Sequence, residues 1–180
     1  MVYVLLGTGF EETEAIVPVD LLRRASIDVI TVGLNGKTIY GGHNIGIAAD
    51  ITVEQIDLTK LEMIVLPGGL GGVASIKASD LAMDAIRFAY ENKKFVAAIC
   101  AAPTILAELG ITEDKQAVCY PGCEEEMGQA HILPNTACVR DGNVITGTSA
   151  GCATAFALEL IAALKSREDA DRVARQIVIL

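Results

Sequence analysis

Short apolar runs rich in β-branched residues alternate along this chain with segments of helical periodicity, and this alternation restricts the fold more than any other feature. The clearest runs are residues 2–6, 28–33, 63–66 and 95–99. Helical patterns follow at residues 11–25 and 80–92. Short strands that alternate with helices are typical of βαβ units and a parallel sheet. We therefore expect an α/β fold in which helices cover both faces of a doubly wound, mostly parallel sheet.

The remaining segments fit the same architecture. Gly41 and Gly42 interrupt a segment that we interpret as a hairpin, and Asp141-Gly142 is predicted to form a turn between two strands. These two strands are residues 137–139 and 143–145, and further helices are predicted at residues 103–109, 151–164 and 170–177. Because the sequence contains no linker and no repeat, we interpret residues 1–180 as a single domain.

Charge and cysteine content exclude several classes of protein. The net charge of −9 opposes binding to nucleic acids and to anionic membranes. No apolar run approaches the roughly 18 residues of a membrane span, and residues 2–6 are too short for a signal-peptide core. Five irregularly spaced cysteines argue against a disulfide framework, and none completes a zinc site. We expect a cytoplasmic protein without metal or cofactor that binds neither nucleic acid nor membrane.

Cys100 is the most informative single residue, because it stands where a predicted strand turns directly into a helix. Such a corner projects its side chain into the cleft at the carboxyl ends of the strands. Gly68-Gly69 also ends a strand at this edge, and its backbone N–H groups are expected to face Cys100 and hold an anionic oxygen. The helix N-terminus is expected to lower the pKa of the thiol. The simpler alternative is that Cys100 is a small buried apolar residue.

A set of specific segments spans nearly the whole chain. They are Gly9-Phe-Glu-Glu-Thr-Glu14, Pro18-Val-Asp20, Val65-Leu-Pro-Gly-Gly69, Ala97-Ala-Ile-Cys-Ala-Ala-Pro103 and Thr148-Ser-Ala-Gly151. Together they resemble the ThiJ/PfpI superfamily, and most closely its Parkinson-disease-protein/deglycase (DJ-one-like) branch, although that family often has Gly-Pro-Gly in the last segment. The resemblance implies a flavodoxin-like fold of the class I glutamine amidotransferase type, usually a homodimer, with Cys100 as the nucleophile-elbow cysteine.

The resemblance also implies roles for residues around the thiol. Glu14 takes the position of the family's buried acid, which hydrogen-bonds the cysteine sulfur. Two negative charges in one dry site raise the pKa of a carboxyl, so we expect a protonated Glu14 that stabilises the thiolate and acts as general acid or base. The oxyanion and substrate-binding groups are predicted to be Gly68, Gly69, Ala101 and Tyr120.

Tyr120 departs from the family pattern, since many members place a histidine at this position as a base. A phenol with a pKa of about 10 is a poor base at neutral pH, although it donates hydrogen bonds well. His131 is an alternative base, and both His131 and His43 are also interpreted as surface residues. Cys119 and Cys123 are alternative partners for resolving an oxidised Cys100 as a disulfide. The charged residues interpreted as solvated are Glu11, Glu12, Arg24 and residues 124–126.

These observations lead to a hypothesis and two alternatives. The leading hypothesis is a cofactor-free glyoxalase or deglycase of the stress response, in which Cys100 attacks a reactive dicarbonyl and Glu14 moves the proton. The first alternative is a redox sensor or chaperone that operates by oxidation of Cys100. An amidase or peptidase is less favoured because Tyr120 replaces the family histidine. The expected partners are a small aldehyde or dicarbonyl substrate and a second copy of the chain in a homodimer.

Overall fold

A computed structural model describes residues 1–179, in which strands and helices alternate from the start of the chain. The strands are β1 (Val2–Leu6), β2 (Val29–Gly33), β3 (Thr38–Tyr40), β4 (Gly46–Ala48), β5 (Ile51–Thr52), β6 (Met63–Leu66), β7 (Phe95–Ile99), β8 (Gln116–Ala117), β9 (His131–Ile132), β10 (Cys138–Asp141) and β11 (Val144–Gly147). The helices are α1 (Glu12–Arg24), α2 (Leu70–Lys77), α3 (Asp80–Glu91), α4 (Pro103–Glu108), α5 (Ala153–Leu164) and α6 (Arg167–Gln176). Among the described residues, no helix has the length and apolar character needed to cross a bilayer.

A seven-stranded sheet in the order β10-β11-β7-β6-β1-β2-β5 forms the centre of the molecule. Its neighbouring strands are parallel except for β10 and β11, which pair antiparallel around the Asp141-Gly142 turn. Outside this sheet, β3 and β4 form the antiparallel hairpin that was predicted around Gly41-Gly42. The prediction of a mostly parallel, doubly wound α/β fold is therefore confirmed.

Side chains of β1 alternate between two layers of the core. Val2, Val4 and Leu6 pack with residues of α1, α5 and α6, whereas Tyr3 and Leu5 pack with residues of α2, α3 and α4. All five side chains are at most 2% exposed. Burying one large apolar side chain contributes about 1.5–3 kcal/mol. Because both faces of the sheet are covered in this way, the central strands have continuous apolar sequences rather than alternating ones.

The α2 helix was not predicted, because glycines 71 and 72 are poor helix formers. The structure gives a packing reason for both residues. A Cβ atom on Gly72 would lie 2.7 Å from the Cα of Phe10, and one on Gly71 would lie 2.9 Å from the Cα of Gly9. The close approach of α2 to the segment after β1 therefore requires glycine, and this tertiary packing overrides the weak helix propensity.

The first helix begins one residue later than predicted. Glu11 is its N-cap, and the Oε2 atom of Glu11 accepts a hydrogen bond of 2.7 Å from the Glu14 N–H group. Pro18 lies inside α1 without ending it, and Arg23 and Arg24 lie in its last turn, where they complement the helix dipole. The short strands β5, β8 and β9 were not predicted, because two residues are too few to show a periodic pattern.

The sheet order places three strand ends side by side. Strand β6 lies between β7 and β1, and all three run in the same direction. The carboxyl end of β7 leads into Cys100, that of β6 into Pro67-Gly68, and that of β1 into Gly7. Ligand sites of open α/β sheets lie outside the carboxyl ends of the strands. The fold thus brings the predicted nucleophile and the predicted glycine turns to one edge.

Candidate active site

Cys100 follows directly after β7 in a conformation that is uncommon for a residue with a side chain. Its φ angle is +66°, in the left-handed region. Two backbone hydrogen bonds hold it there: the Cys100 N–H donates to the Gly147 carbonyl over 2.9 Å, and the Tyr120 N–H donates to the Cys100 carbonyl over 2.7 Å. A non-glycine residue in this region costs about 1–3 kcal/mol, and such strain concentrates at functional sites. The turn therefore has the geometry of a nucleophile elbow, with the half-buried thiol at its corner.

Glu14 is the acidic group of this centre and is 0% exposed. Its Oε2 atom accepts a hydrogen bond of 2.8 Å from the Gly68 N–H group. A Cβ atom on Gly68 would lie 2.6 Å from that oxygen and 2.7 Å from the Cβ of Cys100. The carboxyl and the cysteine therefore converge on Gly68. Among the described residues, the Glu14 Oε1 atom has no partner with normal hydrogen-bond geometry.

Burial controls the protonation of the pair. It raises the pKa of Glu14 to about 7, against opposing interactions with the Cys100 thiol and with the Gly68 N–H group. Burial, followed by the charge of Glu14, raises the pKa of the Cys100 thiol to about 12. Removing both protons would place two negative charges in one dry site, so the pair keeps at least one proton through the neutral range.

The prediction that the helix N-terminus lowers the pKa of Cys100 was wrong in direction. The helix α4 has only six residues, and its positive end is a small influence beside burial and the neighbouring carboxyl. Hydrogen bonding by the Ala101 and Gly69 N–H groups does favour the thiolate, and lowers the pKa in part. The anion-stabilising groups at the sulfur are therefore these two N–H groups. The Gly68 N–H, which was predicted to face the cysteine, is instead bonded to Glu14.

The backbone of Tyr120 lies beside Cys100, because its N–H donates to the Cys100 carbonyl. The Tyr120 side chain is 49% exposed. His131 lies on β9, where its N–H donates to the Lys115 carbonyl, and its side chain is exposed. A role for either side chain in substrate binding or proton transfer stays a prediction.

The other cysteines near Tyr120 are free thiols. Burial, followed by the charge of Glu124, raises the pKa of Cys119 to about 11, and burial also raises that of Cys123. Like the Cys100 thiol, both are held protonated at neutral pH, but the acidic groups near them, Glu124 and Glu126, are exposed rather than buried. Resolution of an oxidised Cys100 by either one stays a prediction.

Sequence reasoning missed the environment of Glu12, which was interpreted as solvated but is only 7% exposed. The Oε1 atom of Glu12 accepts a 2.7 Å hydrogen bond from the His43 N–H, and Oε2 pairs with the His43 Nδ1 atom at 2.8 Å. A Cβ atom on Gly41 would collide with this carboxylate. The sequence feature that could have indicated this contact is the pair of glycines in the β3–β4 hairpin, next to His43. They allow the hairpin to close over an acidic side chain.

Glu11, Glu12 and His43 each offer a potential ligand atom, and these atoms lie within 4.8 Å of one another. Each already has a protein partner: Glu12 pairs with His43, and Glu11 caps α1. The hydrogen bonds of the cluster therefore serve to attach the hairpin to the start of α1. Both ends of that attachment are titratable groups.

Comparison with known proteins agrees with this geometry. The model of the DJ-1/PfpI family matches residues 1–163. Protein dj-1beta of Drosophila melanogaster is 35% identical over 178 residues, covering 98% of this chain and 95% of that protein. A Parkinson disease protein 7 homolog from Danio rerio is 32% identical over 98% of this chain and 95% of its own length. A deglycase from Pyrococcus abyssi is 26% identical over 91% of this chain and 99% of its own length.

Solved structures give the same result. The crystal structure of Drosophila DJ-1beta matches with a TM-score of 0.94, over 98% of this chain and 96% of that one, at 35% identity. This confirms the flavodoxin-like fold of the class I glutamine amidotransferase type. With a family match over most of its length and relatives above 30% identity, the chain belongs to the DJ-1/PfpI family.

Proposed function

We propose that this protein is a cysteine-dependent, cofactor-free enzyme of the stress response that acts on reactive dicarbonyls, of the glyoxalase or deglycase type. The observation that carries the proposal is a fully buried carboxyl, Glu14, beside a half-buried thiol on a strained turn. A relative named as a deglycase adds support. Membership of the DJ-1/PfpI family supports the broader stress-response role.

The reaction follows from these groups. The Cys100 proton passes to Glu14, and the sulfur bonds to the aldehyde carbon of a 2-oxoaldehyde, whose oxygen takes a proton to give a hemithioacetal. Glu14 then removes the hydrogen of that carbon as a proton and returns it to the adjacent carbonyl carbon. The hydroxyl proton of the first carbon moves to the oxygen of the second, which leaves a thioester beside a hydroxyl group. Water breaks the carbon–sulfur bond and restores the thiol. The sum is one dicarbonyl plus one water, giving one 2-hydroxy acid.

The environment of Glu14 suits a group that acts as both general base and general acid. A general acid or base is most effective when its pKa lies near the working pH. Burial brings the pKa of Glu14 to about 7, so the carboxyl both accepts and releases a proton at neutral pH. The Gly69 and Ala101 N–H groups interact with the sulfur and are placed to stabilise negative charge that develops beside it.

The test is conversion of methylglyoxal to lactate by purified wild-type protein, Cys100→Ser and Glu14→Gln. Multiple turnovers by the wild type, lost in Cys100→Ser and reduced at least a hundredfold in Glu14→Gln, support the proposal. Cys119→Ser is the matched control, because it removes a buried thiol whose neighbouring acid, Glu124, is exposed, and it should retain wild-type turnover. An unchanged rate in Cys100→Ser would contradict the mechanism.

A second candidate function is redox sensing, favoured by the same hydrogen-bond donors. A sulfinate on Cys100 would have the Gly69 and Ala101 N–H groups and a protonated Glu14 available as donors. Mild peroxide should then add two oxygens to Cys100, as seen by mass spectrometry, with Cys119 unmodified. Sensing is the better description of the protein if this oxidation occurs while wild-type protein shows no methylglyoxal turnover.

We also infer a homodimer. Ile16 is 39% exposed and lies one helical turn after Glu12, whose partner hairpin exposes Tyr40 and Ile45 by 53% and 54%. An apolar surface formed by α1 and this hairpin is suited to association with a second copy. Light scattering should give twice the mass of one chain, and Ile16→Asp should reduce it. A monomeric wild type would contradict the inference.

The net charge leads us to infer a cytoplasmic location. A net charge of −9 favours solubility over binding to anionic membranes. Fractionation of cells that express the tagged chain should recover it with cytoplasmic markers. Recovery with the membrane fraction would refute this.

A further inference from the structure

The mouth of the candidate active site carries an unusual charge distribution. Three of the four residues from Glu11 to Glu14 are glutamates. Glu14 is buried at the sulfur, Glu12 is buried under the hairpin, and Glu11 is half-exposed. Glu11 is therefore the carboxylate of this segment that solvent reaches, and its hydrogen bond with the Glu14 N–H holds it beside the reacting pair.

The position of Glu11 follows from its hydrogen bonds. Its N–H donates to the Gly68 carbonyl over 3.0 Å, and its Oε2 atom accepts from the Glu14 N–H over 2.7 Å. A Cβ atom on Gly69 would lie 2.7 Å from the Glu11 nitrogen. Glu11 thus contacts both glycines that adjoin Cys100. Its charge is near enough to oppose ionisation of Glu14.

The cations of this region do not neutralise Glu11. Among the described residues, neither Glu11 nor Glu14 forms an ion pair with a lysine or arginine. The arginines of α1 lie at its other end, about 20 Å from Glu11 along the helix, and Arg24 is paired with Asp20. His43 is paired with Glu12, and the ligand atoms of Glu11, Glu12 and His43 lie within 4.8 Å of one another. Two carboxylates thus share one imidazole, and a ligand that approaches Cys100 meets a net negative charge.

We propose that Glu11 is a specificity-determining residue that selects uncharged dicarbonyls over those bearing a carboxylate. This deepens the proposed function and rests on it. A second negative charge on the substrate would be held beside Glu11 in a partly desolvated site. At the effective dielectric constant of a protein surface, one such like-charge pair lowers reactivity about tenfold. Salt should screen most of this repulsion.

The first experiment measures charge selection at Cys100 without turnover. The Cys100 thiolate displaces iodide from both iodoacetamide and iodoacetate, which differ in charge, so a change in the thiol pKa cancels in the ratio of the two alkylation rates. Relative to 2-mercaptoethanol, the ratio for Cys100 should favour iodoacetamide about tenfold. Glu11→Gln, which keeps an oxygen to cap α1, should reduce the preference to about threefold or less.

Glu91→Gln is the matched control, since it removes the same charge at the far end of α3, and it should leave the ratio unchanged. The preference should also fall in about 1 M NaCl, where the screening length is about 3 Å. A ratio that Glu11→Gln does not alter would overturn the proposal. So would a ratio that Glu91→Gln alters equally.

The second experiment uses two substrates of one skeleton, 4,5-dioxopentanoate and its methyl ester. Wild-type kcat/KM should be about tenfold higher for the ester, and Glu11→Gln should narrow this difference by raising the value for the acid. Equal wild-type efficiencies would overturn the proposal. If neither compound is consumed while alkylation remains charge-selective, the proposed function fails and the charge selection at Cys100 stands.

Discussion

Glu12 and Glu14 lie two residues apart on the first turn of one helix, and both are buried, yet their environments shift their pKa values in opposite directions. Burial raises the pKa of each carboxyl. For Glu12, the His43 imidazole and backbone N–H groups outweigh burial and leave the pKa below its ordinary value. For Glu14, hydrogen bonding with the Cys100 thiol and the Gly68 N–H does not outweigh burial, and the pKa rises to about 7. One carboxylate is held as a structural anion and the other is free to exchange a proton.

The comparison teaches that burial alone does not identify a catalytic acid. What distinguishes Glu14 is the lack of a compensating cation within the described residues. Pairs of titratable groups whose environments move their pKa values apart are characteristic of acid–base sites. The following predictions test whether these two neighbouring carboxyls are as different as their partners imply.

The largest expected difference is in turnover. Glu14→Gln should reduce methylglyoxal kcat about 10²–10⁴-fold, because it removes the proton-transfer group. Glu12→Gln should change kcat by less than about threefold, because Glu12 contacts the hairpin and not the sulfur. Steady-state kinetics on folded, purified variants measures both effects. Equal losses in the two variants would remove the distinction between the sites.

The next difference is in the pH dependence of stability. Between the ordinary carboxyl pKa of 4.5 and about 7, unfolded Glu14 loses its proton while the folded residue keeps it. Wild-type stability should therefore fall as pH rises through this window, by about 3 kcal/mol relative to Glu14→Gln. Urea unfolding of both proteins from pH 4 to 8 measures the difference in the free energy of unfolding. A difference that does not vary with pH would show that Glu14 ionises normally.

Packing should discriminate between the same two regions. Gly68→Ala places a methyl group between Glu14 and Cys100 and should cost about 1–3 kcal/mol of stability together with activity. Gly42→Ala, on the hairpin above Glu12, meets no atom closer than 3.6 Å, and should change stability by less than about 0.5 kcal/mol. Thermal or urea denaturation compares the two. A tolerated Gly68→Ala would contradict the close convergence at this glycine.

The smallest effect concerns the Glu12–His43 pair itself. Glu12 and His43 are both charged at pH values between the ordinary Glu12 pKa of 4.5 and the ordinary His43 pKa of 6.5. The contribution of the pair is lost at low pH as Glu12 passes through its lowered pKa, and at high pH as His43 passes through its raised one. The Tm difference between wild type and His43→Ala should therefore be largest between these values. A difference that persists unchanged at pH 9 would contradict charge pairing.

Much of the fold was predictable because its signals are local. The strands β6 and β7 have the predicted bounds, and the turn at Cys100 and the hairpin at Gly41-Gly42 lie where apolar runs meet glycine or cysteine. The two-residue strands and α2 were not predictable, since their existence depends on pairing and on close packing of glycines 71 and 72. Local propensity carries no information about such contacts.

By itself, the sequence determined the alternation of strands and helices, the position of Cys100 as the candidate nucleophile, and the resemblance that selects Glu14. Only the tertiary structure decided which charges meet. Within residues 1–179, it placed Glu14 against the cysteine without a paired cation, closed the hairpin of His43 over Glu12, and bonded the Gly68 N–H to the Glu14 carboxyl. A protonation state depends on burial and on neighbours that are distant along the chain, whereas a turn or an apolar strand depends on residues that adjoin.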